Sequence, residues 1–196
     1  MIYNDRMTRK DLLRVYQALR IHYGPQKWWP RDSQFEIIVG AILTQNTAWR
    51  NVEFALANLK RARVLDPVRM RAVRTTTLAR LIRPAGYYNQ KARTLKSFLD
   101  FLFTRYGGSL VRMRRTKGET LRAALLTVRG IGDETADDIL LYVCNYPTFI
   151  ADAYARRIFA RVGWFPVEVG YAELRRSVCA VLPPEAEMYN EYHALL

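Results

Sequence analysis

LLTVRGIGDETADDILLYV, residues 125–143, is the stretch whose reading decides the fold of this chain. On its N-terminal side Leu121, Ala124, Leu125 and Val128 recur at the i, i+3, i+4, i+7 spacing of one helix face. On its C-terminal side Ala136, Ile139, Leu140 and Val143 repeat that spacing. Gly130 and Gly132 interrupt the pattern, and glycine breaks helices and enters the positive-φ region without a Cβ penalty. Thr116 with Glu119 offers a capping box for the first helix, and Asp133 a cap for the second. The expected local structure is helix, tight glycine turn, helix. Backbone amides at such a turn, beside a helix N-terminus, suit a phosphate.

Outward from this motif the chain keeps to helical periodicity. Met7 to Leu19 starts at a Thr8 cap and places Leu12, Val15, Tyr16 and Leu19 on one face. HYGPQKWWP (22–30) is a loop bounded by Gly24, Pro25 and Pro30. Ser33 with Glu36 is a capping box, and Phe35, Ile38, Val39 and Ile42 form the buried face of the next helix. Gln45-Asn46-Thr47 ends that run, and Trp49 to Leu59 restarts it. Leu78 to Ile82 is a short helix that Pro84 and Gly86 terminate. Asn89 is placed to cap a long helix with Ala92, Leu95, Phe98, Leu99 and Leu102 facing inward. RTKGE (115–119) links it to the central motif. Asp152 to Val162, Tyr171 to Leu182 and Glu185 onward supply further helices. With no alternating β-rich segment of useful length, the fold class is all-α.

At 196 residues, half of them hydrophobic, the chain can bury a real core, and disorder is excluded. Lys and Arg total 31 against 18 Asp and Glu, a formal charge of +13. That excess favours a polyanionic partner, nucleic acid ahead of membrane. The two cysteines, Cys144 and Cys179, are read as small core residues; by themselves they hold neither a four-cysteine cluster nor a zinc ion. Scarce cysteine, with no signal-like or membrane-spanning run, points to a reducing cytoplasm.

VRGIGDETADDIL resembles the helix-hairpin-helix (HhH-GPD) motif of the endonuclease III superfamily of DNA base-excision glycosylases. FIADAYARRIFARVG resembles the segment that follows it, where that family carries its essential aspartate, here Asp152, twenty residues after Gly132. The likeness runs from about Trp28 to the C-terminus. It implies a two-lobed fold: a helical barrel over 31–146 ending in the hairpin (about 119–143), a second lobe built from 1–30 and 147–196, and a DNA groove between them. It also implies a monomer acting on duplex DNA that contains a damaged base, with no membrane partner.

Residue by residue, the resemblance gives Asp152 the catalytic part, beside its local role as a helix N-cap. A carboxylate near C1′ stabilises the cationic sugar formed as the base leaves and orients the attacking water. Glu134 stands where strand-cutting relatives carry a Schiff-base lysine; Glu cannot form an imine, so a water nucleophile without lyase activity is expected. Complementing the helix dipole is its alternative role. Lys91 is a nearby lysine that no motif supports as a substitute. Gln45, in LTQNT, matches the wedge that fills the gap left by a flipped base. Tyr87, in GYYN, matches the intruding position on the other strand or is packed core.

Asn46, Arg129, Gly130, Gly132 and Thr135 complete the expected DNA contacts. Trp28, Trp29 and Trp49, in WWP and QNTAW, resemble the pocket aromatics of the 3-methyladenine DNA glycosylase branch. Indoles stack well on a cationic alkylated purine. The alternative for each tryptophan is ordinary core. Asp133, Glu134, Asp137 and Asp138 put negative charge close to the expected DNA face, with Arg156, Arg157 and Arg161 as an offset and a monovalent cation at the hairpin as a further expectation from the family. No metal ligands are expected in this chain. A 4Fe-4S cluster would require cysteines beyond Leu196, where related proteins continue. The alternatives are an endonuclease III-like enzyme for oxidised pyrimidines or mismatches, and a non-catalytic lesion-sensing relative.

Overall fold

A computed structural model describes residues 7–29 and 33–196, and every regular element among them is a helix. Pro30, and residue 31 as the start of the barrel, lie outside the described residues. Internal contacts divide the chain into two compact units, Arg31–Ile139 and Met1–Pro30 with Leu140–Leu196.

The unit Arg31–Ile139 is organised on α2 (Gln34–Thr44). Ser33 Oγ caps it by accepting the Glu36 amide at 3.2 Å. Its buried surface is not the single stripe expected: every residue from Phe35 to Leu43 is buried, because FEIIVGAIL is apolar all round and the helix is central. The one acid inside it, Glu36, pairs with Lys60 at 2.8 Å from α3 (Trp49–Arg61). Next come two short helices, α4 (Pro67–Ala72) and α5 (Thr75–Leu81), and a 3₁₀ turn (Arg83–Ala85).

The long α6 (Tyr88–Tyr106) packs against α2 and α5, and its expected inward residues Ala92, Leu95, Phe98, Leu99 and Leu102 are all buried. Its N-cap is Tyr87, in the left-handed region at φ 43°, and not Asn89, which lies inside the first turn. A short helix that the sequence reading does not name, α7 (Leu110–Arg114), capped by Ser109, follows α6, and of the expected linker 115–119 the last two residues already belong to the next helix.

The hairpin is α8 (Gly118–Leu126), the glycine turn, and α9 (Asp133–Asp138). Two expected caps are absent. Lys117, with no side-chain capping bond, precedes α8 in place of the Thr116–Glu119 box, and Gly132 precedes α9. Asp133 is instead drawn into an ion pair described below. After Asp138 the helix widens into a π-turn over Ile139–Val143, so the second apolar face is not one α-helical stripe, although its members are buried.

In the other unit α10 (Ala153–Arg161), α11 (Tyr171–Val181) and α12 (Ala186–Leu195) join α1 (Arg9–Tyr23). A full capping box of Thr8 and Asp11 starts α1. Burial of Tyr192 pushes its phenol up, and its hydroxyl donates to the Leu12 carbonyl at 3.1 Å, tying the C-terminal helix to the N-terminal one. Phe149 stacks on Phe159 and meets Tyr189 and Tyr192 edge-on, forming the aromatic core of the unit. The cysteines are half-buried and form no disulfide; Cys179 Sγ accepts the Phe149 amide at 3.3 Å. Among the described residues no helix is long and apolar enough to cross a membrane.

Candidate active site

Only one hairpin glycine is demanded by geometry. Gly130 sits at φ 88°, and a Cβ there would lie 2.1 Å from the Thr94 Oγ1 of α6. Gly132 is extended, at φ −99° and ψ −176°, with nothing within 4 Å of a built Cβ. Gly130→Ala is therefore expected to cost about 2–4 kcal/mol from left-handed strain and overpacking together. Gly132→Ala is expected to stay within about 0.5 kcal/mol. Chemical denaturation of the two variants checks this; equal losses would contradict it.

The bond between α2 and the hairpin is made by Gln45. Its Nε2 donates to the Gly130 carbonyl at 3.1 Å and to Thr135 Oγ1 at 2.9 Å, so three expected DNA-contact residues are brought together. Thr135 is itself buried. Asn46 follows, exposed and at φ 52°, and Arg129 is exposed beside Gly130. Tyr87 is not core: 69% of it is accessible.

Lys91, considered as a substitute nucleophile, is buried and committed elsewhere. Its ammonium donates to the Leu43 carbonyl at 2.9 Å and the Ala85 carbonyl at 2.7 Å, while burial pushes its pKa down. Those carbonyls lie two residues before Gln45 and two before Tyr87, so one cation braces both turns.

Of the four acids of the hairpin, Asp133 and Glu134 are exposed, whereas Asp137 and Asp138 are buried. Asp137 is fully buried and accepts a fork from Arg122 of α8, Nε to Oδ1 at 2.9 Å and Nη2 to Oδ2 at 3.0 Å. The same Nη2 reaches Asp133 at 2.6 Å. The two carboxylates hold the Arg122 guanidinium even more firmly protonated than usual. Asp138 is buried too, and Glu134 is exposed in the first turn of α9. Sequence order alone could not show this, because Arg122 meets the acids only once the turn has folded α8 back on α9.

Asp152 caps α10, its Oδ1 accepting the Ala155 amide at 2.7 Å. Its Oδ2 faces His193 Nε2 of α12 at 4.0 Å. The other ring nitrogen, Nδ1, is 2.5 Å from the Tyr142 hydroxyl, which the π-turn presents. Trp29 meets the Tyr142 ring edge-on at 5.2 Å, and Trp28 lies against Trp29 at 5.6 Å. This unit thus gathers Trp28, Trp29, Tyr142, His193 and Asp152 into one run of contacts. Trp49, the third expected pocket residue, begins α3 in the other unit and is half-buried. Sequence reasoning missed Tyr142 and His193; the one available signal was that His193 is one of only two histidines. Among the described residues no group of three or more His, Cys, Asp or Glu side chains is placed to hold a metal ion.

Residues 39–184, spanning the hairpin and Asp152, match the family profile of the HhH-GPD superfamily base excision DNA repair proteins. The chain belongs to this family. A protein of Methanocaldococcus jannaschii that carries the name of a DNA repair glycosylase is 44% identical over 187 residues, covering 94% of this chain and 84% of that one. In structure the chain is similar to the H. pylori 3-methyladenine DNA glycosylase MagIII bound to 1,N6-ethenoadenine. There the TM-score is 0.79 and the identity 26%, over 96% of this chain and 95% of that one. It shares the fold of endonuclease III in a trapped covalent complex with DNA, at TM-score 0.81 and 18% identity over 96% and 84% of the two chains. This HhH-GPD chain is accordingly an endonuclease III-like DNA glycosylase of base excision repair, and DNA is its partner.

Proposed function

We propose that this glycosylase hydrolyses the N-glycosidic bond of an alkylated purine, such as 3-methyladenine, in duplex DNA, with water as the nucleophile and no strand cleavage. The observation that carries the reading is the run of indole, phenol and imidazole that ends on the Asp152 carboxylate. An alkylated purine is cationic, stacks favourably on electron-rich rings, and departs as a good leaving group. The remaining chemical need is an anion beside the sugar as positive charge develops on it, which a single carboxylate supplies. Glu134 occupies the lyase lysine's position and cannot form an imine. Lys91, with its ammonium bound to two carbonyls, is no replacement. The likeness to MagIII supports the same substrate class. Gln45, Asn46, Tyr87 and Arg129 serve as the DNA contacts, Gln45 and Tyr87 filling the gap left by the extruded base.

The test is a panel of duplexes, each carrying one lesion, with free base and covalent adduct measured. Release of a methylated purine without a borohydride-trapped adduct is the expected result. A trapped adduct, or release confined to oxidised pyrimidines, overturns the reading in favour of an endonuclease III-like specificity.

A further inference from the structure

Asp152 is only half fixed by its own helix. The Ala155 amide holds Oδ1, whereas Oδ2 is oriented by whatever stands opposite it, and that group is His193 at 4.0 Å. The imidazole is in turn set by Tyr142. The buried phenol lies 2.5 Å from Nδ1, and the Asp152 carboxylate, which can only accept, faces Nε2; a ring hydrogen on Nε2, with the phenol donating to Nδ1, is the arrangement that suits both neighbours. Burial pushes His193 below its ordinary pKa against the opposing pull of Asp152, which favours a neutral ring. In free enzymes such contacts are often long and tighten once the ligand is bound, and a small side-chain shift closes 4.0 Å to a hydrogen bond. The π-turn is the local device that presents the phenol, and Trp29 packs on the same ring.

We propose that His193 is a positioning residue for the reaction. Its tautomer is fixed by Tyr142, and it donates from Nε2 to Asp152 Oδ2, so that the carboxylate and the water it directs are aimed at the sugar. The inference rests on the reading of Asp152 as the catalytic carboxylate.

Two measurements test it. In the free protein, imidazole nitrogen shifts at about pH 8 should show His193 as the Nε2–H tautomer, with exposed His22 as the internal reference. Tyr142→Phe should erase that preference. In single-turnover release from methylated duplex DNA, His193→Leu should slow the chemical step about 10- to 100-fold, the effect of one hydrogen bond to a charged group. Affinity for an abasic-site duplex should stay unchanged. His193→Gln, which keeps a donor near the Nε2 position, should recover part of the rate.

In an Asp152→Asn background His193→Leu should cost nothing further, because the charge it positions is already gone. An Nδ1–H tautomer, a wild-type rate in His193→Leu, or an equal loss in both backgrounds would overturn the proposal. A wild-type rate in Asp152→Asn itself would instead remove the carboxylate reading on which it depends.

Discussion

Asp152→Asn is expected to reduce single-turnover base release by about two to three orders of magnitude while leaving the fold and DNA affinity in place. The two consequences separate because the carboxylate has two jobs on two oxygens. Oδ1 caps α10 through the Ala155 amide at 2.7 Å, and asparagine caps about as well as aspartate. The variant therefore loses at most a few tenths of a kcal/mol from the weaker interaction with the helix dipole. What it lacks is the negative charge that stabilises a cationic sugar, and a lost transition-state contact of this electrostatic kind costs about 3–4 kcal/mol. Asp152→Ala should add a loss of about 1 kcal/mol in stability by removing the cap as well. Rates from excess enzyme, melting temperatures, and Kd for an abasic-site duplex provide the check. Normal base release by Asp152→Asn would end the mechanism.

The largest effect on stability is expected at Arg122. Replacing it with methionine takes the bidentate partner away from Asp137, a carboxylate with no exposed surface, and also releases Asp133. Breaking a buried ion pair from one side costs about 3–5 kcal/mol. For a chain of this size that lowers Tm by roughly 10 °C. Replacing both partners, Arg122→Met with Asp137→Leu, should return most of the loss, since an apolar pair often substitutes for a buried ionic one. A single variant that melts with the wild type would show that the fork contributes nothing measurable.

Those two sites differ in how far the sequence discloses them. The hairpin was legible because Leu121, Ala124, Leu125 and Val128 keep a strict helical spacing and Gly130 interrupts it. Asp152 was legible as an acid immediately before an apolar helix, and resemblance supplied its chemistry. The Arg122–Asp137 fork was not, since it depends on the angle at which α9 returns on α8. Nor was the π-turn, because Ile139, Leu140 and Val143 are buried under either helical period.

Helices α4 and α7 are only six and five residues long, too short to stand out by periodicity, although Asp66 followed by Pro67 is a recognisable helix start. His193 escaped notice because its meaning depends on which face of α12 meets the Asp152 loop, and that is decided by tertiary packing.

The Lys91 ammonium has a consequence for anyone grafting parts of another enzyme into this chain. Since it holds the peptide oxygens of Leu43 and Ala85 together, the turns bearing Gln45 and Tyr87 form a single mechanical piece. Grafting one of them from a donor enzyme without its counterpart would tug on the shared anchor and displace the turn left native. Chimeras built on this chain should therefore swap the two turns and the lysine as a set.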